Sequence, residues 1–74
     1  MKEQILAKVS YEEMVAVLNH ISFVFRESKA IQGAFNYVAE NDSERAKSML
    51  FDYMVEMLDD EELVQDVLVA EEVI

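Results

Sequence analysis

From Tyr11 to about Glu27, Met14, Val17, Leu18, Ile21, Val24 and Phe25 recur at the three- and four-residue spacing of one helix face, with Glu12, Asn19, Arg26 and Glu27 opposite. Ser10 followed by Glu13 has the form of a capping box directly before this run, so a helix is predicted to begin there. Phe23 interrupts the pattern, lying on the polar face among Ala16, Asn19 and Ala30. It reads either as a side chain buried against another element, the more ordinary outcome, or as an aromatic anchor for a partner or second copy. A second apolar face, Ile31, Ala34, Phe35 and Val38, is rotated from the first by about 80° at the same helical turn, which predicts a bend or break around Ser28 to Ala30. Asn41, Asp42 and Ser43 then end this helix; Asn41 with Glu44 has capping-box spacing, and Asp42 is the competing cap for the next.

The stretch from Ser43 to about Asp59 carries the broadest apolar surface. Ala46, Met49, Leu50, Tyr53, Met54 and Met57 form one face, and Phe51, Val55 and Leu58 extend it to about 240° of the circumference. Such a helix must meet neighbours on two sides. Phe51, Val55 and Leu58, together with Phe23, are therefore the residues expected to form an apolar contact or dimer surface. The remaining stripe is Arg45, Ser48, Asp52, Glu56 and Asp59. Four consecutive acids at a helix C-terminus would oppose its dipole, whereas at the start of a new helix they would complement it, so a break near Asp59 is expected. Asp59 and Glu62 have capping-box spacing, and a last helix from about Asp60 to Ala70 would turn Leu63, Val64, Val67 and Leu68 inward. The two ends are ambiguous. Ile5, Ala7 and Val9 alternate as a strand would while their neighbours suit a helix, and the β-branched VLVAEEVI tail leaves open a terminal strand pairing with residues 4 to 9.

One glycine and no proline argue against sandwiches, barrels and phosphate-cradling loops. The expected architecture is all-α: one domain over residues 1–74, a small bundle of three to four helices with room for a short N-terminal extended segment. With no cysteine and a single histidine, neither disulfides nor zinc can supplement the core. The chain is 53 % apolar, more than a domain this small readily hides, so part of that surface is expected to be covered by another chain, as a dimer or in a partner complex. No apolar run is long enough to cross a bilayer, and MKEQILAKV lacks the features of a secretory signal, so a soluble, cytoplasmic protein without membrane contact is expected.

Charge changes the picture more than composition does. Residues 1–39 hold four acids and four bases, whereas residues 40–74 hold twelve acids against Arg45 and Lys47, and account for the whole net charge of −10. Direct binding to nucleic acid is thereby disfavoured, and a basic protein surface is favoured by attraction and steering.

Catalytic chemistry leaves little trace. His20 falls beside the apolar face of its helix with no partner motif, the acids lack the alternation and central glycine of a calcium loop, and there is no Glu-x-x-His pair. No catalytic residue, metal or cofactor is assigned, and the chain is read as a non-enzyme. The acidic residues Asp52, Glu56, Asp59, Asp60, Glu62 and Asp66 are the candidate partner-binding set. Carboxylates one turn apart are spaced by about 6 Å along a helix axis, similar to neighbouring phosphates of a nucleic-acid strand. A solvated face is the ordinary alternative, weakened here because no lysine or arginine follows Lys47. Met49, Phe51, Tyr53, Met54 and Met57 suit core packing, and methionine also suits an adaptable contact surface. In size and charge the chain resembles the small accessory proteins that phages direct against host polymerases, nucleases and defence systems, anti-CRISPR proteins among them. The acidic helices and the Met-rich and aromatic surface are therefore read as those of an inhibitor that blocks a basic nucleic-acid-binding protein as a nucleic-acid mimic, in a host cytoplasm if phage-encoded. The alternative is a helical homodimerisation module whose acidic surface only confers solubility.

Overall fold

Ser10 caps its helix as the spacing predicts: its Oγ accepts from the Glu13 amide at 3.1 Å, and the Glu13 carboxylate accepts from the Ser10 amide at 2.8 Å. The computed structural model describes all 74 residues and is entirely helical, with no strand. Its elements are α1 (Lys2–Leu6), α2 (Tyr11–Ile21), α3 (Phe23–Glu27), α4 (Lys29–Asn41), α5 (Ser43–Leu58) and α6 (Glu61–Ala70). The all-α expectation holds, but there are six helices and not three or four.

A break at Ser22 and the added helix α1 account for the difference from four. Serine competes with helical bonding by offering its side chain to a nearby amide. Ser22 adopts extended backbone angles and its Oγ accepts from the Phe25 amide at 3.1 Å, which divides the predicted Tyr11–Glu27 helix in two. Ser28 does the same with the Ile31 amide at 3.2 Å, so the predicted break near Ser28 is present as well. The end of α3 is tied to α4 by Gln32, whose Nε2 donates to Phe25 O at 2.7 Å and Arg26 O at 3.0 Å. Between α4 and α5, Asp42 is the cap that forms, accepting from the Arg45 amide at 3.1 Å, while Asn41 turns back to donate to Tyr37 O.

The sequence leaves the N-terminal segment open between strand and helix and the tail open to pairing with it; the structure corrects both extended options, with Lys2–Leu6 forming the one-turn helix α1 and no strand pairing with the tail. Lys47 on α5 explains the first correction. It is only 8 % exposed, and its Nζ donates to Leu6 O at 2.7 Å and Val9 O at 2.9 Å, carbonyls at and beyond the end of α1 that have no helical partner of their own. The second correction follows from the cap of α6. Glu72 adopts a left-handed conformation, its amide donates to Val69 O, and the Val73 amide donates to Leu68 O. This is the Schellman arrangement, and it turns Val73 back onto the core instead of releasing the tail as a strand.

α5 is the centre of the fold, packing on α1, α2, α4 and α6. Ala46, Leu50, Phe51 and Met54 from α5 are buried with Ile5, Met14, Val17, Leu18, Phe25, Val64 and Leu68. α4 buries no side chain completely. Its Phe35 instead completes a cluster with Phe25 and Tyr53, ring centroids 5.8–6.1 Å apart, within the range where tilted rings attract. Five residues predicted on apolar faces are exposed: Val24, Ala34, Met49, Met57 and Leu63. Val24 is turned out by the break at Ser22, and Leu63 lies outside an inner face of α6 centred on Val64 and Leu68.

Candidate protein-binding surface

Asp52 and Glu56 occupy the exposed side of α5, while Glu62 and Asp66 are exposed on α6. The acidic row is bent between them. Asp59 closes α5 in a left-handed conformation, φ 63° and ψ 16°, and Asp60 caps α6 by accepting from the Glu62 amide at 2.7 Å. The sequence brings these residues to neighbouring elements, but it does not continue them as one straight row, because the backbone reverses its twist at Asp59. Asp52 is further engaged by Lys2, whose Nζ lies 2.9 Å from its Oδ1.

An aspartate in the left-handed region carries a steric cost that glycine avoids. Asp59→Gly is therefore expected to stabilise the fold by about 1 kcal/mol, seen as a raised Tm in thermal unfolding. An unchanged or lowered Tm would show that the Asp59 side chain compensates for its backbone.

The predicted apolar surface needs correction. Phe51 is 1 % exposed and belongs to the core, because α5 is covered on both flanks by its own chain. Val55 and Leu58 are half-buried and pack against that core. Phe23 alone of the four is open, at 67 % exposure, with the Arg26 guanidinium 5.5 Å from its ring centre. Of the apolar residues lying among the acids, Met49 and Met57 are exposed, as the contact-surface reading of the methionines allows, while Leu63, expected inward, is exposed as well. Their placement depends on which arcs of α5 and α6 their neighbours cover.

Between α4 and α5 lies a groove of about 330 Å³, lined by Phe35, Met49, Asp52, Tyr53 and Glu56. Its floor is aromatic and its rim acidic. A second hollow, of about 420 Å³, lies between the start of α2 and the start of α5, with Lys8, Ser10, Glu13, Glu44 and Lys47 in its wall. The Lys47 ammonium is already committed there to two carbonyls and, at 3.1 Å, to Glu44.

His20 Nδ1 lies 2.6 Å from Glu71 Oε1 and so links α2 to the C-terminal tail. No three histidine, cysteine, aspartate or glutamate side chains are grouped so as to hold a metal ion. Tyr11 donates to Asn36 Oδ1 at 2.7 Å, tying α2 to α4, and burial, aided by the Glu12 charge, pushes its hydroxyl pKa above the ordinary tyrosine value. No helix is long and apolar enough to cross a membrane. Comparison with protein-family models, curated proteins and solved structures yields no match to this chain.

Proposed function

We propose that the chain is a non-enzymatic protein-binding module whose acidic α5–α6 surface occupies a basic, nucleic-acid-binding face of a partner, in the manner of a small antagonist. One observation carries this reading. The chain's ion pairs join Lys2 to Asp52, His20 to Glu71, Arg26 to Glu27 and Lys47 to Glu44, and none reaches Glu56, Asp59, Asp60, Glu61, Glu62 or Asp66. Six exposed carboxylates thus stand within eleven residues with no internal cation. Two such charges about 6 Å apart repel by about 0.7 kcal/mol even in water, and a basic partner relieves that repulsion. Exposed Met57 and Leu63 lie among them and provide apolar contact that charge alone does not.

The test is capture from a bacterial lysate by tagged chain, eluted with rising salt, beside the triple variant Glu61→Lys, Glu62→Lys, Asp66→Lys. All three side chains are exposed, so the variant should keep its helical circular dichroism. The expected result is a nucleic-acid-binding protein released by salt and by competing DNA or RNA, and absent with the variant. Equal recovery by both chains would defeat the reading.

A second reading, homodimeric assembly, is favoured by Phe23 and Val24, exposed side by side at 67 % and 62 % on α3 within the half of the chain whose charge sums to zero. Two copies could meet there without bringing their acidic surfaces together. Phe23 and Val24, not Phe51, are the positions at which a glutamate would probe that interface.

A further inference from the structure

The groove between α4 and α5 differs from the rest of the acidic surface in having a floor. Met49 with Tyr53 and Asp52 with Glu56, each pair four residues apart, lie on one side of α5, and Phe35 faces them from α4. The Phe35 and Tyr53 rings meet edge to face, 81° apart in plane, and both lean on the buried Phe25. That packing fixes the floor. Above it stand two carboxylates one helical turn apart, and Glu56 has no cation of its own.

The chain already contains a smaller version of the contact such a groove would make. Lys2 sets its ammonium 2.9 Å from Asp52 and over the Phe51 ring, 5.7 Å from its centre, combining a carboxylate with an aromatic face. We propose that the groove receives one arginine side chain projected by the protein partner, its methylenes lying on Phe35, Tyr53 and Met49 and its guanidinium held by Glu56 and Asp52. Arginine fits better than lysine because a planar guanidinium stacks on rings while its fork of donors reaches two separate carboxylates. Lys2 then acts as an internal competitor for Asp52. The inference rests on the reading of this chain as a binder of basic proteins and narrows it to an anchoring side chain.

The experiment is an amide and side-chain NMR titration of the full chain at low salt with N-acetyl-arginine amide, beside the lysine and citrulline analogues. Arginine amide is expected to bind in the millimolar range, with shifts concentrated at Phe35, Met49, Tyr53 and Glu56. Citrulline, which has the same shape without the charge, should leave the spectrum unchanged. Glu56→Gln should weaken binding about fivefold, the upper range for an exposed ion pair. Lys2→Ala should strengthen it severalfold by freeing Asp52, and Glu61→Gln on α6 should leave it within twofold. The proposal is overturned if citrulline or lysine amide binds as tightly as arginine, if Glu61→Gln weakens binding as much as Glu56→Gln, or if the shifts are spread over all the acids. Those outcomes leave the charge-reversal result on α6 standing, and a lysate that yields no basic partner leaves the titration standing, so the two ideas fail separately.

Discussion

Phe51→Ala should lower the urea midpoint of unfolding by about 3–5 M, or leave the chain unfolded in buffer. Phe51 sits at 1 % exposure in the middle of α5, the helix against which α1, α2, α4 and α6 pack. Removing a buried phenyl ring costs about 3–5 kcal/mol, from lost transfer energy and from the cavity left behind. A chain of this length is stable by only about 4–11 kcal/mol in total. With a urea slope of about 1 kcal/mol per molar for so small a domain, the midpoint shift follows. Phe51→Glu adds an unpaired buried charge to the same cavity and should abolish cooperative folding. The measurement also separates core from interface. Were Phe51 a contact to a second copy, the variants would remain folded and lose only self-association in sedimentation.

Lys47→Met should cost about 2–3 kcal/mol, and the loss should be felt first in α1. Methionine keeps most of the apolar stem of lysine, so the substitution removes mainly the ammonium. What loses its donor is a pair of carbonyls, Leu6 O and Val9 O, the second within a buried hydrogen bond. Stranding acceptors that had a charged donor accounts for about that cost. The pair with Glu44 contributes little, since that carboxylate is largely in water. Hydrogen exchange supplies the check. The Ile5, Ala7 and Lys8 amides, bonded to Met1, Glu3 and Ile5, should open well below the free energy of global unfolding once the ammonium is gone. Unchanged protection in α1 would show that Ile5 and Val9 hold this segment by burial alone.

Lysine at position 47 illustrates what sequence could and could not convey. Counted as a charge, it is one of two bases in an acidic half; in the fold it is withdrawn from the surface, and the outward face of α5 and α6 is more negative than the count suggests. Period and caps were legible wherever the signal was local. Ser10 with Glu13, the length of α5 and the final helix follow from spacing, because a cap and a 3.6-residue stripe are properties of neighbouring residues. The break at Ser22 was not legible, since serine in mid-helix most often points to solvent, and only the need to bury Phe25 while leaving the α2 direction forces it to cap. Phe51 was misread for a related reason. A 240° apolar arc says that a helix has two neighbours but not whose they are, and here both belong to the same chain. The individual acids could be named from the sequence, yet the bend at Asp59 and the engagement of Asp52 by Lys2 are tertiary facts. The aromatic floor of the α4–α5 groove, made from residues eighteen apart, leaves no local sign at all.

Ser22, Ser28 and Asp42 each end one helix and cap the next. Three of the five junctions in this chain are thus single residues with both neighbours committed to backbone geometry. Most domains diversify by lengthening or shortening their loops, which change shape without disturbing the scaffold. This one has almost no loop to lengthen apart from Ala7 to Ser10. An inserted residue at Ser22 or Ser28 would shift the register of a capped helix and rotate its face away from α5. A lineage built on this fold must then alter its recognition by exchanging side chains at fixed positions, so that its history would be recorded in substitutions on α3, α5 and α6 and scarcely at all in length.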